Sequence, residues 1–182
     1  MKALRLVFSN LRYFTPVFLF ATLNIIFGTW AIYIPEITAK LAISEGELGF
    51  AVFFMALGTL SIISFVPRII QFLGVGKTTL VANLGFCMVF LGPFIAETYV
   101  VLCASLFVIG LFSGLLDVTI NTLVTEIEKR DKVHFMSVSH GFFSLGGMLG
   151  AGIGSLLIPF IEIPWQHIAG LSLLLMLLNL IL

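Results

Sequence analysis

The sequence predicts an all-α membrane protein with six transmembrane helices, and three observations predict it. Of 182 residues, 60% are hydrophobic and only 10% charged, whereas a soluble domain carries about 25% charged residues. Six apolar runs reach or approach the ~20 residues that a bilayer-crossing helix needs. No strand-like alternation of apolar and polar residues competes with them. Spans this apolar must satisfy their backbone groups internally, as helices do.

The same composition excludes several classes. Nine basic and nine acidic residues cancel, so the charge balance gives no reason to expect nucleic acid as a partner. The two cysteines, Cys87 and Cys103, lie inside apolar runs, which argues against a disulfide framework. The chain has no metal-type Cys/His spacing and no familiar nucleophile motif, so no enzyme activity, metal or cofactor is expected. Gly76-Lys77-Thr78 has the ending of a phosphate-binding loop. That pattern needs a glycine where Gln71 stands and a strand before it, and neither is present.

Taken in order, the expected spans cover residues 13–34, 48–66, 78–95, 99–125, 136–159 and 165–182. They form one six-helix bundle. Lys2 and Arg5 precede the first run, but no small-residue cleavage site follows it, so it reads as a retained span, not a signal peptide. Prolines punctuate the ends. Pro16 falls in the first turn of span one and Pro35 after it, Pro67 follows span two, Pro93 nears the end of span three, and Pro159 and Pro164 flank the fifth turn. His134 and His167 fall at helix ends, where solvated or headgroup-level positions are expected. The chain stops at Leu182 inside an apolar run with no basic flank. That suggests a truncated or split product of a larger membrane protein.

Charge placement sets the expected orientation. Lys2, Arg5, Arg12, Arg68, Lys77, Lys129, Arg130 and Lys132 alternate to one side, and only Lys40 falls on the other. The positive-inside rule then puts the N-terminus in the cytoplasm of a multi-pass cell membrane protein.

The polar residues inside the spans are the candidate site. Span four carries Asp117 in an apolar stretch and Asn121 one turn later. An ionisable group at membrane depth costs at least ~2.5 kcal/mol and is a functional-site hypothesis by default. Gly110, Gly114, Asp117 and Asn121 share one helical face, which reads as the wall of a narrow polar path. Its candidate partners are His140 and Ser137 of span five and Asn24, Thr29 and Tyr33 of span one, because a polar group in lipid needs a partner. Ser137, His140 and Ser144 form one stripe of span five. In the same span Gly146, Gly150 and Gly154 recur every four residues, a spacing that lets two helix backbones approach closely. Simple packing and a sliding interface are both readings of that spacing.

At this point the chain resembles the N-terminal six-helix half of a major facilitator superfamily transporter. Between spans two and three, PRIIQFLGVGK is similar to the family's cytoplasmic GxxxDRxGRR signature: Gly74 and Lys77 match, while Pro67 and Gln71 replace the first glycine and the aspartate. LLDVTIN in span four resembles the acid-xxx-Asn pattern of the fucose/glucose/galactose–proton symporter branch, with Asp117 in place of glutamate and Asn121 in register. SHGFFSLGGMLG in span five is similar to that branch and its bacterial uncharacterised relatives. Those symporters carry a further acid in the first helix, where only Asn24 and Tyr33 stand here.

The resemblance implies a proton-coupled secondary transporter of the bacterial inner membrane, working by alternating access between two halves. Asp117 would carry the proton, Asn121 would hydrogen-bond a polar solute, most simply a sugar, and Trp30 and Tyr33 would offer rings for stacking. A drug or organic-cation efflux carrier of the same fold, and a non-transporting fragment or subunit, are the alternatives. The partners implied are the lipid bilayer, protons, the solute, and a second six-helix half or another copy.

Overall fold

The computed structural model describes residues 2–182, and every regular element among them is helical. A short helix α1 (Lys2–Val7) precedes α2 (Leu11–Leu41) and α3 (Glu45–Ile63), and α4 (Val66–Leu73) leads into α5 (Val75–Val89). A four-residue α6 (Gly92–Ile95) completes the third span, followed by α7 (Tyr99–Asp131), α8 (Met136–Leu157) with a single 3-10 turn, and α9 (Pro164–Ile181). Six of these segments are long and apolar enough to cross a membrane: α2, α3, α5 with α6, α7, α8 with its 3-10 turn, and α9. The chain is a multi-pass helical membrane protein.

Helix ends follow local chemistry. Asn10 caps α2 by accepting from the Arg12 N–H, and α3 opens with a full capping box between Ser44 and Glu47. Pro67 sits in the first turn of α4, where its missing N–H is harmless. Gly74, at φ 81°, makes the bend into α5, a conformation that favours glycine.

Two expectations at helix ends need correction. Span one does not stop at Pro35: α2 continues to Leu41 and ends on Ala42 in the left-handed region. Pro16 lies in its second turn, not its first, because the helix starts at Leu11. A single proline removes one backbone hydrogen bond, and neighbouring membrane helices compensate. At the start of α9 His167 is half-buried, and its Nδ1 lies 2.9 Å from the Tyr33 hydroxyl.

Packing is organised in two parallel pairs, α2 along α8 and α3 along α7. Glycine sets the separation in both. A methyl group on Gly146 or Gly150 would overlap the backbone carbonyl of Ala21 or Ile25 on α2. A methyl on Gly58 or Gly110 would overlap the carbonyl of Phe107 or Met55 in the other pair. Both pairs therefore touch backbone to backbone, the geometry that drives helix association in lipid, where apolar burial gives no advantage. Helix α5 packs on α7, and α9 leans on α2 and α5. The arrangement thus repeats: the first span pairs with the fifth as the fourth pairs with the second.

The core lies where α2, α5 and α7 meet, around Phe20, Phe86, Phe90, Leu106 and Leu116, all 0% exposed. Helices α3, α8 and α9 leave most of their surface uncovered, with Leu60, Leu156 and Ile181 outward. In a bilayer those side chains meet acyl chains, so their exposure costs nothing there.

Candidate functional site

Asp117 projects from the middle of α7, one turn beyond Gly114, whose missing side chain lets Thr59 and Ile62 of α3 approach. The face therefore divides. Gly110 and Gly114 do not line a path; they are buried against α3. Helix α3 ends at Ile63, and beyond it the Asp117 side of α7 is exposed while Thr119, Ile120 and Val124 stay buried.

The groove so formed has a volume of about 510 Å³. It is lined by Asp117, Val118, Asn121, Thr122, Thr125, Glu126, Lys129 and Met136. The Asn121 Nδ2 donates to the Asp117 backbone carbonyl at 2.8 Å and to its Oδ1 at 3.2 Å. His140 lies on the exposed face of α8. Its ring rests on Phe20 of α2 at a centroid separation of 5.0 Å. Ser137, His140 and Ser144 are all exposed on α8, so the stripe expected there forms one open polar face. Asp117 and Asn121 come together in the groove, and His140 is not among its lining residues.

The other candidates sit elsewhere. The Asn24 Nδ2 donates to the Phe143 carbonyl at 2.9 Å, tying α2 to α8. The Thr29 hydroxyl lies within hydrogen-bond reach of the Ile25 carbonyl at 2.9 Å and the Gly150 carbonyl at 3.2 Å, so it is part of the same seam. Trp30 is 8% exposed, with its ring edge-on to Phe90 in the core. Tyr33 is 2% exposed, set between Phe94 and His167. Neither residue lines the Asp117 groove; Tyr33 borders a separate cavity with Glu36, Phe94 and Trp165. Gly146, Gly150 and Gly154 are buried at the α2 and α9 contacts. Gly74 and Lys77 are exposed at the bend before α5, away from the groove.

Several polar residues escaped the sequence reading. Thr122, Thr125 and Glu126 line the groove although each looked like an ordinary position near a helix end. Their signal was the continuation of the Asp117–Asn121 face toward Lys129. Glu128 accepts from the backbone N–H groups of both Phe135 and Met136 and so caps α8, whose own N-cap position offers no side chain. Arg12 bridges to Asp131 at 2.7 Å, joining the start of α2 to the end of α7. Asn83 is fully buried, its two amide atoms without a partner among the described residues, and Asn179 donates to Thr22 at 3.1 Å.

The sequence profile of the Major Facilitator Superfamily matches residues 16–182. An uncharacterized transporter of Sinorhizobium fredii (strain NBRC 101917 / NGR234) is 26% identical over 165 residues, covering 79% of this chain and 44% of that protein. An uncharacterized MFS-type transporter of Yersinia pestis is 26% identical over 125 residues, covering 69% of this chain and 33% of that protein. The chain spans less than half the length of both relatives.

Proposed function

The chain belongs to the Major Facilitator Superfamily, and from that premise we propose that it forms one wall of a proton-coupled secondary transporter for a small polar solute, with a sugar as the cargo. The observation that supports this reading most is Asp117, an acid midway along a membrane helix that opens on a groove and keeps Asn121 beside it. A carboxylate placed there binds and releases a proton as the groove is exposed to one side and then the other. The Asn121 amide nitrogen donates once to that carboxylate and once to the Asp117 backbone carbonyl.

Two further parts belong to the proposal. The N-terminus is cytoplasmic, and the groove faces a second six-helix half or another copy, since alternating access needs two bodies that rock about a site between them. The relatives' greater length is compatible with that second body. The resemblance of LLDVTIN to the fucose/glucose/galactose–proton symporters supports the cargo class.

Uptake of radiolabelled monosaccharides into cells overproducing the protein, beside drug-resistance assays in the same cells, tests the cargo. Sugar uptake that collapses with a protonophore is the expected result. Resistance to organic cations without sugar uptake would assign the groove to efflux instead.

A further inference from the structure

A second cavity lies at the other end of the bundle from the Asp117 groove. The groove runs toward Lys129, near the end of α7 where Asp131 bridges to Arg12. The second cavity, of about 210 Å³, opens between the last turns of α2, the short α6 and the start of α9. Three aromatic side chains line it, Tyr33, Phe94 and Trp165. The Tyr33 and Phe94 rings meet at 75° with centroids 5.5 Å apart, so two walls stand close to a right angle. The Tyr33 hydroxyl is engaged with His167 Nδ1 at 2.9 Å, which leaves the ring as what Tyr33 offers. Two opposite charges complete the lining, Glu36 and Lys40, one helical turn apart on α2. That spacing lets such residues pair with each other, yet the Lys40 Nζ donates to the Phe94 carbonyl at 3.2 Å. An ammonium has three protons to give, so two of them remain. Among the described residues the Glu36 carboxylate has no ion-pair partner.

We infer that this cavity binds a small zwitterion, its ammonium group among the rings and against Glu36, its anionic group at Lys40. A cation over an aromatic face is attracted by the ring quadrupole, and rings set at an angle offer it more than one wall. That attraction alone would suit any organic cation. Lys40 narrows the class, because it repels a bare cation and supplies donors to an anionic end. Glu36 disfavours a bare anion in the same way. Size narrows it again: drug-sized ligands occupy about 300 Å³ or more, so 210 Å³ suits a compact group. Glycine betaine and the phosphocholine headgroup of a membrane lipid share this chemistry. The cavity stands at the ends of membrane helices, the level at which headgroups lie. It is separate from the Asp117 groove and does not depend on what that groove carries.

Trp165 reports occupancy without requiring transport. It is 45% exposed, whereas the one other tryptophan, Trp30, is 8% exposed, so acrylamide quenches Trp165 first. In the purified protein in polyoxyethylene detergent, glycine betaine should protect Trp165 from quenching. Choline, which lacks the anionic end, should need a several-fold higher concentration, the scale of one exposed ion pair. Acetate, which lacks the ammonium, should need about tenfold more than betaine. Glu36→Gln, an exposed position whose change leaves the fold intact, should weaken protection by betaine and by choline alike. Lys40→Met should weaken betaine several-fold and leave choline unchanged or stronger. Nanodiscs separate the two sources of the zwitterion. If a lipid headgroup is the occupant, Trp165 is already protected in phosphatidylcholine discs, and betaine adds protection only in phosphatidylglycerol discs. If the occupant is a free solute, betaine protects equally in both. Choline matching betaine would make the cavity a plain cation site, and glucose matching it a sugar subsite; either overturns the inference. So would equal protection by acetate, an unchanged titration in Glu36→Gln, or no protection by any probe.

Discussion

The Asn24 carboxamide gives one of its protons to the Phe143 carbonyl and lies against Gly147, so it holds α2 to α8 at a point of close approach. Hydrogen bonds between membrane helices contribute about 0.6 kcal/mol on average and up to about 1.7. Asn24→Ala should therefore lower the unfolding free energy in detergent micelles by about that amount. The rate at which N-ethylmaleimide alkylates a Val118→Cys reporter in the groove should not change. Altered groove labelling with unchanged stability would show that Asn24 serves the solute instead. At this scale the sequence was informative about which residues are polar and much less about where they point. Asp117, Asn121 and His140 stand out because a polar group in an apolar run is costly wherever it faces. That Trp30 and Tyr33 lie apart from the groove was not legible because α2 is apolar around its whole circumference, so no periodicity separates its core face from an open one. Asn24 looked like a binding residue because the glycines opposite it belong to a helix more than a hundred residues away.

At the scale of elements, the glycine positions decide how closely the helices approach. Gly150 meets the Ile25 carbonyl, whereas Gly152 on the same helix has open space around it. Gly150→Ala should cost about 1–3 kcal/mol of stability, the usual penalty for overpacking. Gly152→Ala should be neutral or slightly stabilising because alanine favours helix. Thermal unfolding of the two variants side by side checks this, and equal melting temperatures would deny the close approach of α2 and α8. A second test concerns Glu128. Glu128→Ala removes the cap on α8 and should cost about 1 kcal/mol, as loss of an N-cap does, read by the same unfolding measurement. Span number and the small-residue spacing were legible because length and spacing are properties of a single helix. The end of α2 was not, because continuation past Pro35 depends on what packs around it. The Glu128 cap pairs an acid with a helix start that carries no capping residue, a relation visible only once the chain turns back.

Across the whole molecule, the exchange of partners between the two groups of three spans follows the internal-repeat logic of this transporter class, in which structurally related helix triplets pack around a shared axis. The glycine contacts at Gly146 and Gly150 in one pair and at Gly58 and Gly110 in the other are the physical form of that repeat. The proposed orientation makes a prediction at this scale. Lys132 lies between α7 and α8 and Glu97 between α6 and α7, both exposed and at opposite ends of α7. In intact cells a membrane-impermeant maleimide should label Glu97→Cys and spare Lys132→Cys. The reverse pattern would invert the molecule. The central claim concerns Asp117, and Asp117→Asn in membrane vesicles under an imposed pH gradient tests it most directly, with labelled sugar followed in two modes. Gradient-driven accumulation should disappear while counterflow exchange is partly retained. Accumulation that survives the substitution would contradict the assignment of Asp117 as the coupling residue.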